Sequence, residues 1–195
     1  NLVCANFLLW DEEGFLPYVT KPLNKIPIVL ILNGTKRLPY ENRINKVFNS
    51  TSRLKNYFSG IEFHYCALDE SSDIYCSSVP PGKLMPEYGW KSGPNLQFFY
   101  ALSILGSYGD YTLFLEPDVL PIRRGWLEAA NSGINPTSSF WVKGTQYLGK
   151  TKLVKEISDH LNGVAIYKVG SLEFQNFLLD LPQLHRDLQV LPWHF

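Results

Sequence analysis

The spacing of apolar residues along the first third of the chain predicts strands joined by a helix. Residues 26–32 form a continuous apolar run that ends at the turn signal Asn33-Gly34. Such a run is typical of a strand buried on both faces of a parallel sheet. Residues 61–68 alternate between apolar and polar side chains, which predicts a second strand ending at Asp69. Between them, residues 41–58 carry apolar side chains at a moderate helical spacing.

The later part of the chain continues the alternation of helices and strands. Ser92-Gly93-Pro94 predicts a helix start, because proline suits the first helical position. Residues 1–25 and 70–93 are expected to be irregular, since prolines and glycines interrupt them. The remaining predictions are strands at 111–115, 140–142 and 163–169, a short helix at 122–131, and a helix from Ser171 to about residue 181, where Pro182 ends it.

Strands that alternate with helices predict an α/β domain with a mainly parallel central sheet flanked by helices. Ligands in such sheets bind beyond the carboxyl ends of the strands. Three strand ends therefore hold the first candidate binding residues. They are residues 33–35 with Asn33, residues 69–70 with Asp69, and the segment Glu116-Pro117-Asp118.

Length and composition limit the class of protein. The 195 residues suit one globular domain, which can bury enough surface to fold without disulfides. Lys and Arg balance Asp and Glu at 18 each, which argues against a general affinity for nucleic acid or anionic membranes. No stretch reaches the roughly 18 apolar residues of a transmembrane helix. Because the chain begins with Asn, we expect it to be cut from a larger protein.

The cysteines leave the redox state open. Cys4, Cys66 and Cys76 are an odd number without the spacing of a zinc site. Three reduced thiols are favoured over one disulfide with a free thiol, since a core of this size needs no disulfide. The compartment is not determined. We favour the cytoplasm, and the lumen of the secretory pathway stays an alternative if an N-terminal anchor was removed.

The segment Glu116-Pro117-Asp118 is the sharpest chemical signal. It places two carboxylates two residues apart, directly after a predicted strand. Pro117 cannot donate to a strand ladder, so pairing should end there on a rigid turn. Mg²⁺ and Mn²⁺ prefer oxygen ligands and are often bound by one or two carboxylates together with substrate phosphates. The alternative is an ordinary solvated turn, where Asp and Pro are common.

The sequence around this motif resembles the DxD region of glycosyltransferases with the GT-A fold. Residues 114–127 read FLEPDVLPIRRGWL. Glu116 stands at the first position of the motif, where the usual residue is Asp. Two further matches stand in the expected order, with KSGPNLQ at 91–97 upstream of the motif and DHLNGVAIY at 159–167 downstream of it. The resemblance covers about residues 26–180. It implies a single Rossmann-like domain over 1–195, with a nucleotide-binding half at about 26–120 and an acceptor-side half at about 121–195.

The resemblance also implies a function and a set of site residues. The chain would use Mn²⁺ or Mg²⁺ to transfer a sugar from a nucleotide-diphosphate sugar, with UDP favoured, to a hydroxyl of a glycan or glycoconjugate. Asp118 would bind the metal directly, and Glu116 would face the ribose or a metal-bound water. Lys91, Arg123 and Arg124 would stabilise the leaving phosphate. The other implied residues are His194 for the metal, Asp159 as base, and Lys91, Asn95, Trp141, His160, Asn162 and Gly163 for substrate.

Several alternatives stay open at this point. A retaining enzyme would need no base, so Asp159 could equally cap a turn. A sugar nucleotidyltransferase would need a glycine-rich basic loop after the first strand, and residues 33–37 contain one glycine. A non-catalytic nucleotide- or sugar-binding domain would keep the fold without turnover.

Overall fold

A computed structural model describes residues 2–69, 73, 92–134, 139–146 and 161–188. Its helices are α1 (Leu2–Trp10), α2 (Leu38–Ser50), α3 (Ser92–Leu105), α4 (Trp126–Ser132) and α5 (Leu172–Leu188). Its strands are β1 (Ile26–Leu32), β2 (Phe58–Tyr65), β3 (Thr112–Leu113), β4 (Val142–Gln146) and β5 (Leu161–Tyr167). Within these residues, none of the helices combines the length and apolar character that crossing a bilayer requires.

The described part of the chain is a mixed α/β structure with two small sheets. Strands β1 and β2 pair in parallel, and α2 makes the crossover between them. The second sheet has the order β3-β5-β4, and both of its pairings are antiparallel. The prediction of a mainly parallel sheet is therefore wrong for this second sheet. Apolar periodicity indicates where strands lie but not which way a neighbouring strand runs.

The described residues divide into two compact units. The first unit comprises Asn1–Leu30, Thr35–His64 and Leu115–Ser139. Helix α1 packs against α2 in its core, where the Phe7 and Phe48 rings meet edge to face with centroids 5.6 Å apart. The Trp10 ring lies against Trp126, with centroids 5.0 Å apart. The expectation that residues 1–25 are irregular is wrong for α1, because its nearly unbroken apolar run has no period for sequence reasoning to detect.

Asp11, just after α1, fixes this helix to the segment that follows α2. Its carboxylate accepts hydrogen bonds from the backbone N–H groups of Ser52, Arg53 and Leu54 at 2.7–3.0 Å. Burial by itself would raise the pKa of Asp11, but these hydrogen bonds together bring the pKa below its usual value. The interaction is therefore stronger when the carboxyl group is ionised.

The second unit comprises Ile31–Gly34, Tyr65–Phe114 and Phe140–Phe195. Its antiparallel sheet and α3 share an aromatic core, in which Phe98 meets the rings of Phe114 and Tyr167 at centroid distances of 5.1 and 5.5 Å. Gly170 lies so close to Asp110 that a Cβ atom there would be 2.7 Å from the Asp110 Cα atom. This approach requires glycine after β5.

Helix α5 begins as predicted but does not end as predicted. The Ser171 hydroxyl accepts a hydrogen bond from the Phe174 N–H at 3.3 Å, which makes Ser171 the expected cap. The helix then runs past Pro182 to Leu188. A proline inside a helix either kinks or breaks it, so the rule that placed the end at Pro182 does not distinguish the two outcomes.

Other predicted elements are present with changed ends. The first strand matches β1, but its residues are exposed or half-buried rather than buried on both faces. The predicted strand at 111–115 is reduced to β3. The remaining shifts are from 41–58 to α2, from 61–68 to β2, from 122–131 to α4, from 140–142 to β4 and from 163–169 to β5.

The lowered pKa of Asp11 predicts a pH-dependent contribution to stability. We expect Asp11→Asn to lower the free energy of unfolding by about 1 kcal/mol at pH 7, because both carboxylate oxygens accept hydrogen bonds and the amide keeps only one of these acceptors. Because the folded-state pKa is depressed, this difference should be complete above about pH 4 and should shrink as the pH falls through the folded pKa. Urea unfolding at several pH values measures it. Asp180→Asn on α5 is the matched control, and a difference that grows in acid would contradict the assignment.

Candidate functional site

The two carboxylates of the acid-x-acid motif lie on a tight turn in the first unit. The Val119 N–H donates to the Glu116 carbonyl oxygen at 3.1 Å, so residues 116–119 form a hydrogen-bonded β-turn with Pro117 at its second position. The side chains of Glu116 and Asp118 are both exposed. The prediction that regular strand pairing ends before Pro117 is confirmed, and both acids are accessible to a cation from solvent.

The buried side-chain amide of Asn6 is hydrogen-bonded to the backbone of this turn. Asn6 of α1 is only 5% exposed, and its Nδ2 group donates to the Pro117 carbonyl oxygen at 2.9 Å. Sequence reasoning did not identify Asn6 as part of the site. The available signal was a single polar residue within the apolar stretch of α1. A buried amide usually needs a partner, and here the partner is the backbone of the turn.

The two arginines that follow the turn have different surroundings. Arg124 pairs with Glu13 and donates to the Val19 carbonyl oxygen at 2.9 Å, so it fixes the chain after α1. The next residue, Gly125, has φ +76° and directly precedes α4. Arg123 is exposed. The structure therefore gives Arg124 a structural role and leaves Arg123 as the more available of the two candidate cations.

In the second unit, Asn33 joins the carboxyl ends of β1 and β2. Its Oδ1 atom accepts hydrogen bonds from the backbone N–H groups of Gly34 at 2.7 Å and Leu68 at 3.2 Å. The Cys66 thiol lies 3.5 Å from the same oxygen. Asp69 follows directly and is exposed. Asn33 therefore links the two strand ends, and Cys66 is the residue here that sequence reasoning did not assign to the site.

The backbone at this strand end adopts an unusual conformation. Ala67 has φ +45°, a backbone region that residues other than glycine rarely occupy. This conformation lies directly before Leu68, whose N–H reaches Asn33. Backbone strain of this kind costs on the order of 1–3 kcal/mol and is concentrated at binding and catalytic sites.

The start of α3 is attached to the same end of β1. Gln97, in the second turn of the helix, donates from Nε2 to the Ile31 carbonyl oxygen at 2.9 Å. Ser92, the first helical residue, is 1% exposed, and within the described part of the chain its hydroxyl has no hydrogen-bond partner. Asn95 is half-buried in the first turn. The predicted helix start is confirmed, and it carries a buried polar group that a ligand could satisfy.

Trp141 lies beside the antiparallel sheet with part of its ring accessible. Its ring packs against Phe174 and Phe177, with centroids 6.0 and 5.4 Å away, and the residue is 43% exposed. Its carbonyl oxygen accepts a hydrogen bond from the Lys168 N–H at 2.8 Å. The indole is therefore supported on one side and able to contact a ligand on another.

Other predicted residues are only partly described. Asn162 and Gly163 lie within β5, so they belong to the strand rather than to a turn before it. The Gly163 carbonyl oxygen accepts a hydrogen bond from the Tyr167 hydroxyl at 3.0 Å. The predictions that lie outside the described residues are Lys91, Asp159, His160 and His194.

The described residues supply a metal ion with carboxylates but not with a complete ligand shell. No group of three or more His, Cys, Asp or Glu side chains suited to a metal is found within them. Cys4 and Cys66 are free thiols, as favoured, and Cys76 lies outside the described part of the chain. A cation at the Glu116–Asp118 turn would have to take its remaining ligands from a substrate or from water.

Comparisons with protein families, with curated proteins and with solved structures find no match to this chain.

The hydrogen bond beneath the turn predicts the effect of changing Asn6. Asn6→Leu keeps the branching of the side chain but removes the donor to Pro117, so we expect the free energy of unfolding to fall by about 1 kcal/mol. Denaturant unfolding measures the change. Ala5→Leu adds leucine to the exposed face of the same helix and is the matched control. Equal stability of the two variants would show that the hydrogen bond does not hold the turn.

Proposed function

We propose that the chain is a metal-dependent glycosyltransferase. It would move a sugar from a nucleotide-diphosphate sugar, with UDP favoured, to a hydroxyl of a glycan or glycoconjugate. The observation that carries this proposal is the Glu116–Asp118 turn, where two exposed carboxylates stand on a backbone fixed by Asn6 and by its own hydrogen bond. The resemblance of residues 114–127 to the DxD region supports the same assignment.

The chemistry of the turn fits a hard divalent cation. Both side chains offer carboxylate oxygens, the ligands that Mg²⁺ and Mn²⁺ prefer. Such ions commonly keep several waters and use one or two carboxylates with substrate phosphates, which agrees with the small number of acids here. Asp118 would bind the ion directly, and Glu116 would face the ribose or a metal-bound water. When bound, the ion would supply positive charge against the leaving diphosphate.

The chain's own polar groups would assist the nucleotide. Arg123 is exposed and five residues beyond Asp118, so it is the better placed of the two arginines to stabilise the leaving phosphate. The buried Ser92 hydroxyl, at the start of α3, has no hydrogen-bond partner among the residues that the structure describes, which supports ligand binding at that helix end. Lys91 would add charge there, and helix N-termini favour anions.

The acceptor would be bound by residues on and beside β5. The Trp141 ring, supported by Phe174 and Phe177, offers a partly exposed flat surface of the kind that stacks on sugar faces. Asn162 and Gly163 on β5 are the other proposed contacts, with His160. In an inverting reaction Asp159 would accept the proton of the acceptor hydroxyl, a role that requires hydrogen-bond reach of that group.

Removal of the Asp118 charge tests the metal assignment. We expect Mn²⁺ to tighten UDP binding by the unaltered protein. In Asp118→Asn that enhancement should fall at least about ten-fold, since even groups that only orient metal ligands cost 10–100-fold in metal affinity. Isothermal titration calorimetry of UDP with and without Mn²⁺ measures it. Asn is well tolerated in turns, so the backbone should keep its shape.

The matched control is Asp180→Asn, which removes one exposed carboxylate from α5. It should bind UDP with the same manganese dependence as the unaltered protein. If Asp118→Asn also keeps that dependence, the turn is not the metal site and the proposal loses its main support.

A hydrolysis assay separates an enzyme from a binding domain. With a panel of UDP- and GDP-sugars, we expect slow, Mn²⁺-dependent release of nucleoside diphosphate from at least one UDP-sugar. Asp118→Asn should reduce this release together with binding. Tight manganese-dependent binding without any release would instead favour a non-catalytic nucleotide-binding domain.

A further inference from the structure

The chain that follows the Glu116–Asp118 turn forms a loop whose two ends are both held to α1. The Pro117 carbonyl oxygen accepts a hydrogen bond from Asn6, and the Trp126 ring lies against Trp10. The two residues of α1 are four positions apart, so only about 6 Å of helix separates them. The chain from Pro117 to Trp126 could span about 30 Å if it were extended. It therefore has to turn outward between its two attachments.

A second loop, residues 19–25, leaves the first unit beside the first one. The Val19 carbonyl oxygen accepts a hydrogen bond from Arg124 at 2.9 Å, and the Val19 N–H donates to the Glu128 carboxylate at 2.8 Å. These contacts fix the start of the second loop against the end of the first. We call residues 19–25 and 119–123 the two apolar loops.

Both apolar loops present aliphatic side chains to solvent. Ile122 is 92% exposed and Leu23 is completely exposed. Leu120 and Val19 are each more than half exposed. Four such side chains on two adjoining loops form a patch, and exposed apolar patches mark contacts with proteins or with membranes.

The exposed charges of the apolar loops are all positive. The loops contain Lys21, Lys25 and Arg123, which are exposed, and they contain no Asp or Glu. The acids at the base of the loops are engaged within the protein, since Glu13 pairs with an arginine and Glu128 accepts hydrogen bonds from the backbone and a hydroxyl. The balanced charge of the whole chain therefore includes a local surface on which apolar and basic side chains are interleaved.

The composition of the apolar loops suits a lipid surface better than a protein partner. Protein interfaces are enriched in aromatic side chains and depleted in Lys, and Leu and Val seldom dominate their binding energy. The loops offer Leu, Ile, Val and Lys without any aromatic residue. Interfacial membrane binding combines apolar side chains at the acyl boundary with Lys or Arg at anionic headgroups.

We propose that the two apolar loops bind the surface of an anionic lipid bilayer. The side chains of Leu23 and Ile122 enter the acyl region. The ammonium groups of Lys21 and Lys25 meet the lipid phosphates. The inference is independent of the proposed function, since no nucleotide, metal ion or sugar takes part in it. It would bring the Glu116–Asp118 turn, which directly precedes one of the loops, close to the lipid surface.

Vesicle flotation tests the contact made by the apolar side chains. The protein is mixed with vesicles of phosphatidylcholine alone, or of phosphatidylcholine with about one third phosphatidylglycerol. Divalent cations are left out, so that an ion at the Glu116–Asp118 turn cannot bridge to lipid phosphates. We expect the unaltered protein to bind the vesicles that contain phosphatidylglycerol and to bind the others more weakly.

Replacement of the most exposed side chains should weaken this binding. In Leu23→Ser with Ile122→Ser we expect a loss of at least about ten-fold, because two apolar side chains no longer leave water. Leu172→Ser with Leu179→Ser removes two exposed leucines from α5 and is the matched control, which should bind as the unaltered protein does. Both pairs change exposed side chains, so both variants should fold.

The lysines are tested with the same vesicles. Lys21→Gln with Lys25→Gln should weaken binding to the phosphatidylglycerol vesicles about ten-fold. Lys46→Gln with Lys55→Gln removes the same charge from exposed positions elsewhere in the first unit and should have a much smaller effect.

Three results of these assays would overturn the inference. The first is that the unaltered protein does not float with phosphatidylglycerol vesicles. The others are equal binding by the two serine variants, or equal binding by the two glutamine variants. Sedimentation velocity adds a fourth, since a dimer that Leu23→Ser with Ile122→Ser dissociates, without vesicle binding, would assign the apolar loops to a second copy of the chain.

Discussion

The rigidity of the Glu116–Asp118 turn depends on one hydrogen bond, between the buried Asn6 amide and the Pro117 carbonyl oxygen. Exposed carboxylates are common and bind cations weakly unless the backbone beneath them is held. Here the backbone is held from inside by Asn6 and closed on itself by the contact between Val119 and Glu116. Pro117 restricts the remaining freedom of the turn, because its ring fixes φ. Glu116 and Asp118 are therefore two charges at a fixed spacing on a rigid support.

The second unit also contains a side-chain amide whose orientation is fixed by hydrogen bonds to the backbone. The oxygen of the Asn33 amide is held by backbone donors, so its nitrogen has a defined direction. At the turn of the first unit, a buried amide holds the backbone that carries two carboxyl side chains. At the strand ends of the second unit, the half-buried Asn33 amide connects the segments that follow β1 and β2. In both places the structure stabilises the orientation of a polar group before any ligand binds.

Much of this organisation can be predicted from sequence because it depends on local pattern. The predictions placed three features correctly: the strand that ends before Asn33, the start of α3 at Ser92, and the cap of α5 at Ser171. The acid turn after β3 followed from the properties of Pro117 alone. The mixed α/β class is confirmed, but the antiparallel second sheet was missed, because strand direction depends on contacts between residues far apart in the chain.

What sequence could not supply was the partner of each buried polar group. Asn6 and Pro117 are 111 positions apart, and no local rule connects an amide in an apolar helix to a distant carbonyl. The same limit applies to Gln97 and Ile31, which are 66 positions apart. Arg124 shows the reverse case, since its charge suggested a role toward phosphate, whereas its contacts with Glu13 and Val19 give it a structural one.

A crystal structure of the protein grown with UDP and Mn²⁺ tests the proposed metal site most directly. We expect an ion at the Glu116–Asp118 turn, with an Asp118 carboxylate oxygen at a bonding distance of about 2.0–2.3 Å and diphosphate oxygens on the same ion. An ion bound elsewhere, or a nucleotide bound with both carboxylates still facing solvent, would contradict it.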